Sequence, residues 1–464
     1  MTLDASILPA GDERLRAVVV AVQLPDVDDG ELASSLAELE RLATTLGLDP
    51  VARITQRRSK LASGVVLGEG KLKELAGWTG GTGEVPAYEK PGSRKHDADD
   101  DDDDDDDGSD DDAAAGDAPA VKAKVVLVDH DLSPTQQRNL EKATGADVLD
   151  RTSVILEIFH RHAKTREARL QVEIARLRYL APRLRESGGG GDRVRGGIGG
   201  KGAGESSLEL DRRRIRDRIA ELKAELESIE GGARTRRARR TELPTVALVG
   251  YTNAGKSSLM RALTSTDVYI ADKLFATLDT TVRRLQPATE PPILITDTVG
   301  FIKKLPHDLV ASFRSTLDEA NDADLLLHVV DASDPAMADQ LAVTREVLGE
   351  IGAEQPIWLL LNKIDRVDEA GRAALADKYP KALQLSAKSK LDVAALRDRM
   401  IVQFAGELED TDLDVPWTAQ RVVHLIHERT TVLGEAHDET GTRLRVRAPA
   451  RVLDELRETL RTSS

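Results

Sequence analysis

The chain has no cysteine among its 464 residues, which excludes disulfides and thiolate metal sites. Aromatic residues are scarce, at 3%. No apolar run approaches the ~20 residues of a membrane span. The opening stretch MTLDASILPAGDERLR lacks the basic–apolar–small order of a secretory leader. A cytoplasmic protein, monomeric when free and without a membrane span, is therefore expected. A chain of this length predicts about three domains, each large enough to bury a core.

Positive charge is also in deficit, with 65 Lys/Arg against 81 Asp/Glu and a net charge of −16. An acidic, aromatic-poor composition rich in Ala, Val and Gly points to a proteome adapted to high salt. There the Debye length is ~3 Å or less and surface charge repels little. The deficit is not uniform. Residues 151–240 hold 23 Lys/Arg and 13 Asp/Glu, a net +10, which leaves −26 on the remainder. Such a basic island is a candidate nucleic-acid surface; a charged coiled coil with solvated faces is the plainer reading.

The first segment, 1–149, alternates strand-like and helix-like runs. Residues 15–22 read as a buried strand. Leu32, Leu36, Leu39, Leu42 and Leu46 fall at helical spacing. Further strands are expected near Val51–Ile54, at Val65-Val66-Leu67 before a glycine turn, and at Lys124–Asp129. This alternation predicts a small α/β domain with a parallel sheet. Residues 79–120 interrupt it with an unbroken acidic run from Asp99 to Asp107, read as a disordered acidic insertion.

Residues 150–240 read as two long helices. The first, over 151–185, carries Ile155, Ile158, Leu170, Ile174, Leu177 and Leu184. In the second, Ile215, Ile219, Leu222, Leu226 and Ile229 form a heptad seam. Between them lie ten glycines from Gly188 to Gly204, with Arg193, Arg195 and Lys201 among them. An antiparallel helical hairpin with a Gly-rich basic tip is the expectation. The pair His160 and His162 lacks companion ligands at metal spacing and reads as a helix-surface or core feature.

The segment 241–405 carries the chemistry. Gly250-Tyr251-Thr252-Asn253-Ala254-Gly255-Lys256-Ser257 follows the apolar run Val246–Val249 and precedes a helix-compatible stretch. This is a phosphate-binding loop, in which successive backbone N–H groups face a phosphate chain at a helix N-terminus. Lys256 can reach the β- and γ-phosphates, and the Ser257 hydroxyl can bind Mg²⁺. Asp297-Thr298-Val299-Gly300 ends the apolar strand Ile293–Thr296. Its carboxylate can hold Mg²⁺ through water, and the Gly300 N–H can contact the γ-phosphate. Between these motifs lies Phe275-Ala276-Thr277-Leu278-Asp279-Thr280-Thr281. Thr277, Thr280 and Thr281 all qualify by chemistry as a triphosphate-dependent Mg²⁺ ligand.

Asn362-Lys363-Ile364-Asp365 follows another apolar strand. The Asp365 carboxylate can accept hydrogen bonds from guanine N1–H and the 2-amino group, a donor pair that adenine lacks. GTP is thus the expected substrate. Lys363 can lie along the base and Asn362 can tie the loops together. Ser386-Ala387-Lys388 supplies a second base-side loop. Phe301 stands where many GTPases place a water-orienting glutamine. Asn253 then has two readings: a partial ligand for a catalytic K⁺, or a polar turn residue. Beyond 406, a small C-terminal domain should hold a helix at Ala419–Arg429, a strand at Arg443–Arg447 and a helix from Ala450. The fold class is α/β: a P-loop nucleotide domain, preceded by the small α/β domain and the hairpin, followed by a small α+β domain.

Several stretches together resemble the HflX-type GTPases of the Obg–HflX group, in a haloarchaeal-like form. They are Asp150–Phe159, Leu170-Gln171-Val172-Glu173, the Gly-rich turn before Gly204–Arg213, the loop from Gly250, and Phe275–Asp279. The resemblance covers about 15–75 and 121–405. It implies Thr277 as the Mg²⁺ ligand and a hydrophobic residue after D-x-x-G, which Phe301 fits. It further implies GTP hydrolysis coupled to binding of the large ribosomal subunit, with splitting or rescue of stalled or idle ribosomes. The basic hairpin would then approach ribosomal RNA. The acidic insertion, Ala203 in place of a usual proline, and the C-terminal domain depart from that pattern. A GTP-dependent regulator or scaffold of a protein partner, or of RNA modification, is the alternative function.

Overall fold

The computed structural model describes residues 14–85, 122–184, 207–238, 243–264, 274–275, 281–289, 291–303, 319–405, 408–438 and 440–463. They fall into two compact units, one up to Glu225 and one from Leu226 onward.

The first unit is built on a four-stranded parallel sheet in the order β2-β1-β3-β4. Its strands are β1 (Leu15–Gln23), β2 (Leu48–Arg57), β3 (Val125–Val128) and β4 (Asp147–Asp150). The fully buried runs in β1 and β3 are what a sheet covered on both faces demands. Helix α1 (Asp29–Leu46) starts where Asp28 accepts a hydrogen bond from the Glu31 amide at 2.7 Å. It buries Leu36, Leu39, Leu42 and Leu46. Helix α2 (Glu69–Thr79) and helix α3 (Pro134–Thr144) pack together against Val18, Val20, Val126 and Val128 of the sheet. Ser133 and Gln136 form a reciprocal capping box at the start of α3, with Pro134 at its first position.

Two local expectations change. Val65-Val66-Leu67 is not a strand. Val66 and Leu67 instead plug the core as irregular chain, and Gln56 accepts the Gly68 amide at 2.8 Å. Apolar burial alone satisfies these side chains, so no ladder is required. Residues 80–85, assigned by composition to the acidic insertion, pack on the fold: Gly83 donates to the Ala143 carbonyl at 2.9 Å and Val85 lies against the core. The acidic run itself lies outside the described residues.

The long helix expected over 151–185 is two helices, α4 (Arg151–His162) and α5 (Arg166–Leu180). Thr165 caps α5 by accepting the Ala168 amide at 3.2 Å, which sets the break without glycine or proline. His160 and His162 sit in the last turn of α4, where positive charge suits the helix dipole. Helix α6 (Ser207–Ala238) follows. Arg166 pairs with Glu225, and Arg218 pairs with Glu173. Later residues of one helix therefore meet earlier residues of the other, so α5 and α6 run antiparallel. Ile215, Ile219, Leu222, Leu226 and Ile229 are the shielded side of α6, with Leu222 only 1% exposed. The Gly188–Gly204 tip lies outside the described residues.

Arg151 links α4 to the sheet. Its guanidinium pairs with Asp129 at 2.7 Å and with Glu38, and Asp129 also accepts from the Ser35 hydroxyl at 2.6 Å. All three charged groups are buried. Beside them Asp150 caps α4, and it accepts from the Tyr179 hydroxyl at 2.8 Å and from Arg183 at 3.1 Å. Burial pushes the Tyr179 phenol up, and the Asp150 charge adds to it.

The second unit holds a six-stranded sheet in the order β10-β9-β8-β5-β7-β6. Its strands are β5 (Thr245–Val249), β6 (Thr281–Arg284), β7 (Leu294–Asp297), β8 (Leu325–Asp331), β9 (Ile357–Asn362) and β10 (Leu383–Gln384). Only β6 is antiparallel to its neighbour. Helices α7 (Lys256–Thr264), α8 (Met337–Glu350), α9 (Glu369–Lys378) and α10 (Lys390–Ala405) accompany it. The strand order reverses at β5, so the carboxyl end of β5 is the switch point where open α/β sheets bind ligands.

A three-stranded antiparallel sheet closes the chain: β11 (Leu408–Pro416), β13 (Gly441–Pro449) and β12 (Thr431–His437), in that spatial order. Helices α11 (Arg421–Arg429) and α12 (Ala450–Ser463) cover one face. No helix among the described residues is long and apolar enough to cross a membrane.

The buried Arg151 pairs generate a prediction. Arg151→Ala leaves Asp129 and Glu38 in the interior without that cation, at a cost of about 3–5 kcal/mol. In a chain retaining Trp78 as its sole tryptophan, the fluorescence-detected urea midpoint of the first unit should fall sharply. An unchanged midpoint would show that the pairs contribute little.

Candidate guanine-nucleotide site

The loop from Gly250 to Ser257 joins β5 to α7 at the switch point. Two glycines in it have no substitute. Gly250 has φ 145°, and a Cβ there would lie 2.1 Å from the Val329 carbonyl oxygen. Gly255 has φ 99°, and its Cβ would lie 2.2 Å from Asn362 Nδ2. Asn253 is left-handed at φ 60°, a conformation Asn tolerates better than most. It is exposed, whereas Tyr251, Thr252 and Ala254 are buried.

Lys256 is 6% exposed and donates to the carbonyls of Gly250 and Tyr251, each at 2.9 Å. Burial pulls its ammonium down to about 8, and the nearby Asp297 charge opposes this. Ser257 donates its hydroxyl to Asp297 Oδ2 at 2.8 Å. Asp297 ends β7 and is 1% exposed. Thr298 is fully buried and donates to the Leu248 carbonyl at 2.7 Å. Val299 is buried as well.

A short parallel bridge ties Tyr251 to Phe301. The Phe301 amide donates to Gly250 at 3.1 Å, and the Thr252 amide donates to Phe301 at 2.7 Å. The Tyr251 hydroxyl accepts from the Lys303 amide at 2.6 Å. Phe301 is 2% exposed, so its ring packs inward. A Cβ on Gly300 would lie 2.9 Å from Lys256 Nζ and from Thr252. Only a residue without one lets the D-x-x-G backbone lie this close to the loop.

On the other flank of the loop, Asn362 Nδ2 donates to the Ala254 carbonyl at 2.8 Å, and its Oδ1 accepts the Ala387 amide at 3.0 Å. One side chain thus joins the phosphate loop to the Ser386–Lys388 loop. Lys363, at φ 60°, donates to the Asn253 carbonyl at 2.7 Å and pairs with Asp331 at 2.6 Å. Ile364 is buried, and its amide donates to Leu385 at 3.3 Å. Asp365 is exposed and accepts the Ser386 hydroxyl at 2.6 Å. That hydrogen bond, ahead of the Lys388 and Arg366 charges, holds its carboxyl below the usual range. Ser386 also accepts the Lys388 amide at 3.3 Å.

The motifs spaced over more than a hundred residues therefore meet around one loop. Phe275 is present as a buried residue at φ 56°; Ala276, Thr277, Leu278 and Asp279 lie outside the described residues. Two neighbours escaped the sequence reading. Asp331 ends an apolar strand and carries no motif. His328 is 1% exposed on β8, and burial, then Arg345 and Lys256, pull its imidazole down to about 3. It is a neutral ring behind the loop.

A phosphate loop at the switch point of this sheet, with D-x-x-G bridged to it and N-K-x-D against it, defines a P-loop GTPase. Three family models match in succession: "GTP-binding GTPase N-terminal" over 33–83 and 113–160, "GTP-binding GTPase Middle Region" over 162–240, and "50S ribosome-binding GTPase" over 245–363. The acidic run falls in the gap of the first match. The chain is 56% identical over 445 residues to the GTPase HflX of Gluconacetobacter diazotrophicus, covering 96% of this chain and 97% of that one. It is 37% identical to HflX of Caldanaerobacter subterraneus, covering 97% and 94%, and 36% identical to HflX of Escherichia coli, covering 95% and 94%. A solved GTP-binding protein from Sulfolobus solfataricus in complex with GDP is 22% identical, covering 84% of this chain and 98% of that one, with a TM-score of 0.42. The chain belongs to the HflX family of GTPases and is a GTP hydrolase. The haloarchaeal expectation finds no support: none of these relatives comes from a haloarchaeon, and acidity alone does not identify a high-salt proteome.

The depressed Lys256 generates a pH prediction. Between pH 8 and 10.5 the unfolded chain keeps a proton that folded Lys256 has lost, so stability rises with pH in that window. In urea unfolding of the nucleotide-free protein at pH 7.5 and 10, wild type should gain stability relative to Lys256→Met. Identical pH slopes would contradict the assignment.

Proposed function

We propose that this GTPase binds the large ribosomal subunit in its GTP state and splits or rescues stalled or idle ribosomes. The observation carrying this reading is the net +10 of residues 151–240 within a chain of −16. Phosphate-rich RNA is the partner such an island attracts. The family description of a ribosome-binding GTPase supports it. On this reading the chain has four working parts: 1–149, the hairpin 150–240, the nucleotide domain 241–405 and the C-terminal part 406–464. It acts in the cytoplasm and is monomeric when free.

The reaction is attack of water on the γ-phosphorus, with cleavage of the bond to the β–γ bridging oxygen, giving GDP and phosphate. The backbone N–H groups of 250–257 and Lys256 bind the phosphates, and the Gly300 N–H meets the γ-phosphate. Asp365, Lys363 and Asn362, with Ser386, Ala387 and Lys388, bind the base. A hydroxyl at Ser257 beside the buried carboxylate of Asp297 is a hard-oxygen set suited to Mg²⁺. Ser257 and, as the resemblance implies, Thr277 would hold the ion, with Asp297 behind them. When bound, Mg²⁺ offsets charge on the phosphate oxygens. Phe301 has no group that polarises water; Asn253 would be a partial ligand for K⁺, which would supply further positive charge there.

Co-sedimentation with purified large subunits tests this reading. A non-hydrolysable GTP analogue should give stronger association than GDP, and association independent of nucleotide would reject it. Subunit-stimulated hydrolysis, measured in the same mixtures at matched KCl and NaCl, should be faster in K⁺. Equal rates would remove K⁺ from the mechanism while leaving the partner intact.

A further inference from the structure

Lys363 of the base loop makes an ion pair with Asp331, a residue that belongs to no motif. Asp331 ends β8 directly beside Asn362 of β9, and the Ala332 amide donates to the Asn362 carbonyl at 2.9 Å. Asp331 Oδ1 accepts from the Ser333 amide at 3.0 Å and its hydroxyl at 2.7 Å. Its Oδ2 accepts from Lys363 Nζ at 2.6 Å, and the same ammonium donates to the Asn253 carbonyl at 2.7 Å. The carboxylate is therefore fixed on one side and holds the lysine on the other.

The pair is largely withdrawn from water, with side-chain exposures of 17% for Lys363 and 12% for Asp331. An ion pair so placed is screened less than a surface one. Lys363 and Asn253 both adopt φ 60°, a region that side-chain-bearing residues occupy only when surrounding contacts hold them there. The lysine is a flexible four-carbon stem with a point charge. A neutral carbonyl alone restrains it weakly; a fixed carboxylate sets both its direction and its reach.

We propose that Asp331 is a positioning residue for guanine-nucleotide binding: it holds Lys363 so that the stem walls the base slot and the ammonium pins the phosphate loop at Asn253. This inference rests on the reading of Lys363 as a base-contacting residue. Asp331 touches no nucleotide and acts only through the lysine. Its contribution falls on bound GDP and GTP alike, so it governs affinity and dissociation more than the chemical step.

The test uses the full chain and a fluorescent GDP. Asp331→Ala should raise the Kd for GDP about tenfold, the effect of losing one hydrogen bond to a charged group. The change should appear in the dissociation rate, and KM for GTP should rise more than kcat falls. Asp331→Asn keeps the shape and an acceptor oxygen, so it should recover part of the loss while melting like wild type. Lys363→Ala and the double variant should bind GDP equally weakly, because Asp331 has nothing to hold once the lysine is gone. Wild-type affinity in Asp331→Ala, or costs that add in the double variant, would overturn the proposal. Failure of the wild-type chain to bind any guanine nucleotide would overturn the site reading itself, and the inference with it.

Discussion

The Thr252 amide reaches the Phe301 carbonyl, and the Phe301 amide reaches back to Gly250. This two-bond bridge fixes the D-x-x-G backbone against the phosphate loop. Much of the site follows from it. The close approach requires glycine at 300, because a Cβ would press on Lys256 and Thr252. It buries the Phe301 ring, which leaves no side chain at that position to orient water. It also lets Tyr251 anchor Lys303 through its hydroxyl. A displacement of one segment is therefore felt by the other through backbone bonds rather than through a flexible side chain. A packed element of this kind suits a switch with discrete arrangements.

The second organising contact lies on the opposite side of the loop. Asn362 reaches Ala254 and Ala387, while Lys363 reaches Asn253 and Asp331. The phosphate loop is thus held from both flanks. On one flank it meets the D-x-x-G segment, and on the other N-K-x-D. Its own central strand supplies little besides position.

That the phosphate loop, D-x-x-G and N-K-x-D belong together was legible in the sequence because these motifs encode backbone constraints. Gly250 and Gly255 are required by close approach, and Asn362 serves two neighbours at once, donating to one and accepting from the other. The parallel sheet of the first unit was legible in the apolar runs of β1 and β3. Where the pattern carried no such constraint, the reading failed. Asp331 looks like an ordinary polar residue after a strand, since its partner lies 32 positions away. The break between α4 and α5 has no glycine or proline, only the Thr165 cap. Strand β11 was not among the expected elements, because Asp410, Asp412 and Asp414 give no apolar strand pattern, and Arg447, Arg445 and Arg443 stand opposite them only in the fold. The apolar triplet at 65–67 is buried without being a strand, a distinction that hydrophobicity does not make.

Guanine selectivity is the central claim, and it turns on Asp365. Binding of fluorescent GDP and of its xanthine counterpart to wild type and to Asp365→Asn tests it most directly. Xanthine carries a carbonyl where guanine carries the 2-amino group, so an amide at 365 matches it and a carboxylate does not. Wild type should prefer GDP, and Asp365→Asn should lose GDP affinity by about a hundredfold or more while gaining xanthine diphosphate. Unchanged GDP binding in the variant would mean that this loop does not read the base.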